Sequence, residues 1–179
     1  NSDSSNLNLI KLNKDSDNHS SLLLNQIFDQ WILYQLEQFK TTILNDLDQY
    51  ILNNLGSKTQ QFVNLLNNTY IKLNRDRLKG KVDKLSTFQS LMTLLTILHN
   101  LSIILSSYLP HFADYLYQDL KSSNSSDNGS IEPTSVHLLS YQDLRKTQIT
   151  YLPAFHQLDI LIEVLELIRQ GRNDHKIPN

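Results

Sequence analysis

The chain has 179 residues and a mass of 20.8 kDa, enough for one domain whose hydrophobic core needs no disulfide or metal for support. Sixteen Lys and Arg oppose eighteen Asp and Glu, and this net charge of −2 argues against a uniformly basic nucleic-acid binder. The absence of Cys excludes a disulfide scaffold, a thiol nucleophile and a Cys-based zinc site. The first twenty residues are polar and lack the apolar core of a signal peptide, so we expect a cytoplasmic chain.

Long Leu-rich stretches separated by a few Gly and Pro predict an all-α fold, an antiparallel helix bundle. Residues 1–24 are dominated by Ser, Asn, Asp and Lys, and we expect a flexible linker there because so little apolar area cannot offset the entropy of ordering. One helical domain is predicted over residues 25–179.

The first two helices are predicted to form an antiparallel hairpin. Apolar residues at helical spacing indicate a first helix from about residue 25 to residue 54, with Gly56 as its C-cap. Ser57 and Gln60 match the capping-box pattern, which places the start of a second helix there and its end near Gly80. The connecting loop is then very short, as it is between antiparallel neighbours.

The third helix is predicted from about Thr87 to Ser107, with Ser86 and Gln89 as its capping box. It contains no charged residue, so a membrane span must be weighed against a bundle helix. A stripe of polar residues favours the bundle helix with this stripe on its wet side. The stripe consists of Gln89, Thr93, Thr96, Asn100 and Ser107.

The remaining segments alternate between loops and helices. Pro110 is placed to begin a helix that ends near Lys121, and a flexible loop is predicted near residues 121–134 because of its Ser, Asn and Gly content. A short extended crossing follows over residues 135–139. A last helix from about Tyr141 to Arg169 is expected to kink or split at Pro153 and to stop near Gly171.

The sequence carries no catalytic motif. It has no Gly-rich phosphate loop, no His-Glu-x-x-His, no nucleophile elbow and no dinucleotide fingerprint. His111 with Asp114 and Glu163 with Glu166 are pairs three residues apart, but two ligands without a third are weak evidence for a metal site. We therefore predict no catalytic and no metal-binding residue in the chain.

One segment stands apart in charge, and we call its six cations the basic cluster. They are Lys72, Arg75, Arg77, Lys79, Lys81 and Lys84. With Asp76 and Asp83 between them the segment carries +4, and the remaining ten cations and sixteen carboxylates carry −6. Such a cluster suits phosphate contact, since Lys and Arg neutralise a nucleic-acid backbone and release counterions. The alternative is a solvated helix end whose cations complement the macrodipole. A smaller C-terminal basic group consists of Arg169, Arg172 and Lys176.

Several motifs in order resemble a known family. Asp29–Leu33 has the sequence D-Q-W-I-L, similar to a D-x-W-I-L entry, and Asn68–Gly80 has the sequence N-T-Y-I-K-L-N-R-D-R-L-K-G, similar to N-W-Y-V/I-R-x-N-R-x-R-L-K-G. Later stretches resemble the same family: Pro110–Phe112, Tyr117–Leu120, Ser135–His137 and Ile168–Pro178. The family is the anticodon-binding helical domain of the class I aminoacyl-tRNA synthetases for isoleucine, valine and leucine, and the resemblance is greatest to the eukaryotic cytosolic isoleucine enzyme.

The resemblance covers about residues 25–179 and implies a function. It implies a domain that binds the anticodon stem and loop of an isoleucine tRNA, with the basic cluster on the phosphates and the remaining synthetase domains as further partners. The C-terminal basic group would add to this tRNA-binding surface if it lies nearby in space. ATP and Mg would be cofactors of the parent enzyme's catalytic domain, which this chain does not contain. Neither DNA nor a membrane is expected as a partner, and no cofactor is expected here.

Two departures from the family keep a second interpretation open. Thr69 stands where the motif has Trp, and Lys72 stands where it has Arg, so a large aromatic surface and a planar bidentate donor are missing. The alternative is therefore a protein-interaction bundle, or a degenerate synthetase paralogue that no longer binds RNA. Valine and leucine enzymes share the architecture, and the choice of isoleucine depends on residues 74–80 and 169–178.

Overall fold

The fold is all-α, as predicted. The computed structural model describes residues 26–123, 133–141, 144 and 152–174, and every regular element among them is a helix or helical turn. The predicted linker 1–24 lies outside the described residues, as does most of the loop predicted near 121–134. The loop does not begin at residue 121, because residues 121–123 belong to the helix Pro110–Ser123.

The described elements are six α-helices and two shorter helical turns. Helix α1 covers residues 26–48, and α2 spans Leu55–Leu65 and continues as a π-helical turn over Leu66–Ile71. Helix α3 is Arg75–Leu78, α4 is Lys84–Leu105 and α5 is Pro110–Ser123. A 3-10 turn over Val136–Leu138 precedes α6, Pro153–Asp174.

These elements divide into two compact units. The smaller unit holds the start of α1, up to Trp31, and helix α6, whereas the larger unit holds the rest of α1, helices α2 to α5 and the 3-10 turn. The basic cluster belongs to the larger unit.

Helix α1 ends earlier than predicted, and Gly56 is not its cap. Ile51 N donates to Asp46 O at 2.8 Å and Tyr50 N donates to Leu47 O at 3.1 Å, the two bonds of a Schellman motif. Tyr50 therefore occupies the left-handed position, with φ of 57°. Gly56 instead lies in the first turn of α2, and the Ser57 hydroxyl donates to the Asn54 carbonyl rather than capping the helix as predicted.

The predicted hairpin of the first two helices is confirmed. The rings of Phe39 and Phe62 stack with centroids 4.7 Å apart, and Lys58 forms an ion pair with Asp46. The residue nearer the end of α1 meets the residue nearer the start of α2, so the two helices run antiparallel.

Helix α4 is capped by Asp83, not by Ser86. The Asp83 carboxylate accepts from Leu85 N at 3.2 Å and Ser86 N at 3.4 Å, which satisfies two free amides of the first turn. Asp83 is the better cap here because the Ser86 side chain is buried and accepts a hydrogen bond from Arg77.

The polar stripe of α4 was expected on its wet side, and this prediction is wrong at Thr93 and Asn100, both of which are buried. Other hydroxyls of the helix are buried as well: Ser90 Oγ donates to Thr87 O at 2.8 Å and Ser102 Oγ donates to His99 O at 2.7 Å. A hydroxyl bonded to its own helix loses little on burial, so polarity alone does not mark the solvent side.

Helix α4 is long and apolar enough to cross a membrane by length and composition alone. Half of its apolar window is buried inside the fold, and it packs against α3 and α5. These features are typical of the central helix of a bundle. Its exposed apolar residues lie mainly in the first half, at Leu85, Phe88, Leu91 and Met92.

The start of α5 at Pro110 is confirmed, and Asp114 of this helix is hydrogen-bonded to the 3-10 turn. The Asp114 carboxylate accepts from Ser135 Oγ at 2.6 Å and Val136 N at 3.1 Å. These two hydrogen bonds hold the pKa of Asp114 below its ordinary value. The crossing predicted over residues 135–139 is extended only at Ser135 and Leu139, since the three residues between them form the turn.

In the smaller unit, Trp31 packs with α6. Its indole Nε1 donates to Asp159 Oδ1 at 2.8 Å, and both Trp31 and Phe155 are buried. The described helix α6 begins at Pro153, where a missing amide costs nothing. Leu144 and Leu152 are not helical, and the rest of the helix predicted between Tyr141 and Pro153 lies outside the described residues. The stop predicted at Gly171 is wrong, because α6 continues to Asp174.

Candidate nucleic-acid interface

The site is built on a break between two helical segments. After the π-helical turn, both the backbone N and the side-chain Nδ2 of Asn74 donate to Tyr70 O, each at 3.0 Å. Asn74 leaves the helical conformation, with φ of −95° and ψ of 15°, and the four-residue helix α3 follows. The predicted second helix is therefore interrupted here and does not run unbroken toward Gly80.

Gly80 closes α3 in a second Schellman motif. Gly80 N donates to Arg77 O at 3.0 Å and Lys81 N donates to Asp76 O at 3.0 Å. Gly80 has φ of 71°, a conformation that favours glycine. This turn leads into Asp83 and α4, so all six residues of the basic cluster belong to one short segment of the chain.

Arg77 differs from the other five cations of the basic cluster, because its side chain is only 4% exposed. Its Nη1 donates to Asn74 Oδ1 at 2.7 Å, its Nε to Ser86 Oγ at 2.9 Å and its Nη2 to Ser86 O at 3.3 Å. The predicted phosphate contact at Arg77 does not fit this position, since the guanidinium faces the interior.

The other five cations are exposed, and one of them is paired. Lys81 Nζ lies 3.2 Å from Asp76 Oδ1 in an ion pair whose two side chains are both well exposed. Within the described part of the chain, Lys72, Arg75, Lys79 and Lys84 form no ion pair. Their charge is therefore available to an anionic ligand.

A cleft of about 440 Å³ is lined by three of these four cations. Its lining consists of Asn67, Ile71, Lys72, Arg75, Leu78 and Lys79. Ile71 and Leu78 supply apolar walls, Asn67 supplies an amide, and three cations stand at its edge. This arrangement combines an apolar surface for a planar group with positive charge for its phosphates.

Charge counting located the basic cluster in the sequence, but it missed Asn67, Ile71 and Leu78, which complete the cleft. The signal for them was their spacing, since positions 67, 71, 75 and 78 recur at intervals of three and four. Asn74 was also missed, and its role as an acceptor for Arg77 depends on the break in the helix.

The remaining predicted site residues are on or beyond α6. Arg169 is half-buried and Arg172 is exposed, both in the smaller unit, while Lys176 lies outside the described residues. Among the described residues no group of three or more His, Asp or Glu is placed to hold a metal ion.

Comparison with protein families gives a match over residues 29–179 to the anticodon-binding domain of tRNA ligase. The chain belongs to this family. The matched span of the anticodon-binding domain includes the basic cluster, the cleft and both described residues of the C-terminal basic group.

The relatives of this anticodon-binding domain include several isoleucine–tRNA ligases. It is 25% identical to the cytoplasmic isoleucine–tRNA ligase of Schizosaccharomyces pombe over 86% of this chain, and 28% identical to the isoleucine–tRNA ligase of Clostridium novyi over the same share. It is 35% identical to the isoleucine–tRNA ligase of Dehalococcoides mccartyi over 63% of this chain. The aligned segments make up only 15%, 14% and 11% of those proteins.

The two departures from the family motif occupy different environments in the anticodon-binding domain. Thr69 is buried, 3% exposed, and its hydroxyl has no hydrogen-bond partner among the described residues. Lys72 is exposed at the cleft. The missing Trp is therefore a change inside the fold, whereas the Lys for Arg change lies at the proposed contact surface.

Proposed function

We propose that this chain binds the anticodon stem and loop of an isoleucine tRNA, as one domain of a cytoplasmic isoleucine–tRNA ligase. In that protein a separate catalytic domain would use ATP and Mg to aminoacylate the tRNA, with the present chain holding the distant end of the substrate. A contact far from the reacting atoms still raises the rate if it positions them.

One observation carries the proposal: exposed Lys72, Arg75 and Lys79, which form no ion pair with any described residue, line a cleft with apolar walls. RNA loops present unstacked bases next to phosphates, and proteins bind them by combining flat apolar contacts with cations. If the cations only complemented the macrodipole at a solvated helix end, no cleft beside them would be expected.

Titration of an isoleucine tRNA transcript with the 179-residue chain tests the proposal, with NaCl varied from about 50 to about 200 mM. We expect Arg75→Gln/Lys79→Gln to weaken binding about tenfold or more and to reduce the slope of log K against log salt by about 1.4, about 0.7 for each lost contact.

The matched control is Gln38→Glu/Gln61→Glu, which changes the net charge by the same amount at exposed residues of α1 and α2. We expect it to leave most of the affinity intact. No binding at low salt, or an equal loss in both double variants, would overturn the proposal. A valine or leucine tRNA transcript in the same titration tests the choice of isoleucine.

The protein-interaction alternative has one observation in its favour, the exposed apolar side chains in the first half of α4. The remaining domains of the ligase are the partner that this surface would meet in the proposed full-length protein. The same RNA titration separates the two functions, since a bundle that serves only protein contacts does not bind the transcript.

A further inference from the structure

We propose that Arg77 is the positioning residue of the basic cluster: its buried guanidinium fixes Arg75 and Lys79 at the cleft and does not touch the RNA. The inference rests on the proposed function in that the cleft is taken to bind RNA. Arg77 thus has a different role from the other five cations of the basic cluster, although charge counting along the sequence does not distinguish them.

The hydrogen bonds of Arg77 join two segments of chain. Asn74, on the near side, accepts from Nη1, while Ser86 of α4 accepts from Nε and, through its carbonyl, from Nη2. A bond in the reverse direction completes the joint, since Thr87 Oγ1 donates to Arg77 O at 2.9 Å. The planar guanidinium presents its donors in a fixed fork that reaches both segments together.

Helix α3 depends on this joint because it is only four residues long. A single helical turn does not hold its shape in water without tertiary contacts. On such a turn, residues two positions apart face opposite sides, so burying Arg77 directs Arg75 and Lys79 outward. The exposure of both neighbours and their place in the cleft lining agree with this geometry.

Asn74, which accepts one of the Arg77 hydrogen bonds, is itself fixed to the core. Asn74 holds Tyr70 O through both its backbone and its side chain, and Tyr70 is fully buried. A shift of the Arg77 guanidinium therefore moves α3 relative to Asn74 and Tyr70, which stay in place. Lys at position 77 keeps the charge but loses the fork, so the orientation of α3 is lost while the charge remains.

The test compares charge-conserving substitutions at two arginines two residues apart. We expect Arg77→Lys to weaken binding of the isoleucine tRNA transcript about tenfold and to lower the salt slope by about 1.4, the loss of the two phosphate contacts that Arg77 positions. Arg75→Lys is the comparison at a direct contact residue, and we expect a smaller loss of affinity with an unchanged salt slope, because the phosphate contact keeps its charge and loses only the planar shape of the guanidinium. Binding is measured well below the melting temperature of each variant, with folding checked by circular dichroism.

A double-mutant cycle separates positioning from direct contact and from stability. If Arg77 acts through its neighbours, Arg77→Lys has almost no further effect on binding in the Arg75→Gln/Lys79→Gln chain. An additive effect in that chain, or wild-type affinity for Arg77→Lys, would overturn the positioning role. A residue that only stabilises the fold would lower the melting temperature of the Arg77→Lys chain and leave affinity and slope unchanged, which also contradicts the proposal.

Amide hydrogen exchange tests the positioning role without RNA. In Arg77→Lys we expect faster exchange at the amides of Lys79, Gly80 and Lys81, which close α3, and no such change in Arg75→Lys. Ser86→Ala, which removes one acceptor, is a milder variant for which a smaller effect in the same direction is expected. Unchanged exchange in both Arg77→Lys and Ser86→Ala would refute the positioning role, whereas failure of the wild-type chain to bind RNA would refute the proposed function.

Discussion

Thr69 and Thr59 are both buried in the larger unit but differ in their hydrogen bonds. The Thr69 hydroxyl has no partner in the described part of the chain, whereas the Thr59 hydroxyl bonds to the hydroxyl of Tyr108. Burying a polar group without a partner costs free energy. We therefore expect Thr69→Val to raise the free energy of unfolding by about 1 kcal/mol and Thr59→Val to lower it by about the same amount.

Urea unfolding followed by circular dichroism measures both threonine variants. The Tyr108 phenol is a second reason for a loss at Thr59, because Tyr108 is partly buried and its hydroxyl would lose its bond to Thr59. Equal destabilisation by the two substitutions would contradict the distinction between a paired and an unpaired hydroxyl.

Tyr50 and Gly80 occupy equivalent positions in two Schellman motifs, with φ of 57° and 71°. The left-handed region costs an L residue about 1–2 kcal/mol, and glycine avoids this strain at some cost in chain entropy. Because Tyr50 is 86% exposed and loses few contacts, we expect Tyr50→Gly to stabilise the fold by about 0.5–1 kcal/mol.

Gly80→Ala is the reciprocal variant, and we expect it to destabilise the fold by about 1 kcal/mol. An added Cβ at Gly80 meets no atom within 4 Å, so the loss would come from the backbone conformation alone. Thermal unfolding measures both changes, and a fall in melting temperature for Tyr50→Gly would show that its side chain has a stabilising role.

At the scale of elements, hydrogen bonds to Asp114 connect the 3-10 turn to α5. Their strength depends on pH, because the Asp114 carboxylate can be protonated. The pKa of Asp114 is lowered in the folded state by its bonds to Ser135 and Val136, so its charged form stabilises the fold. This contribution is present above the carboxyl pKa of the unfolded chain and is lost as pH falls through the lower folded value. We expect Asp114→Asn to destabilise the chain at neutral pH.

Urea midpoints of the wild type and Asp114→Asn from pH 7 down to pH 3 measure this contribution. The difference between the two chains should shrink as the pH falls through the carboxyl range, because protonation removes the charge that the substitution also removes. Asp119→Asn, an exposed change on the same helix, is the control. A difference that stays constant with pH would contradict a role for the Asp114 charge.

The helices of the larger unit could be predicted from the sequence, but several of their ends could not. Leucine periodicity predicts α2 and α4 because it reports which face is buried. The cap of α4 is decided elsewhere: Asp83 and Ser86 are both suitable residues, and Ser86 is bonded to Arg77, nine positions earlier. The end of α1 could not be predicted for a similar reason. A left-handed residue that ends a helix is usually glycine, but Tyr50 takes this position although Gly56 lies only six residues further on.

At the scale of the whole molecule, the candidate site was only partly predictable. Summing charges along the chain located the basic cluster, because +4 in thirteen residues is visible without a fold. The sum treats Arg75 and Arg77 alike, although one is exposed at the cleft and the other is buried. That difference depends on the break at Asn74 and on acceptors from α4, which no local pattern encodes.

The net charge of −2 gives a last prediction, because it implies that RNA binding depends on local and not on total charge. Asp76 pairs with Lys81 inside the basic cluster, and Asp76→Asn frees this lysine. We expect tighter binding of the tRNA transcript, about threefold, with a salt slope larger by about 0.7. An exposed ion pair contributes about 0–1 kcal/mol, so folding stability should change little.

Asp48→Asn is the matched control for this variant, since Asp48 is an exposed carboxylate near the end of α1. It changes the net charge by the same single unit but frees no cation of the basic cluster. If affinity follows the charge of the whole molecule, the two variants bind RNA equally well. If it follows the basic cluster, only Asp76→Asn binds more tightly, and filter binding at two salt concentrations distinguishes the two results because counterion release adds to the slope only where a phosphate contact is gained.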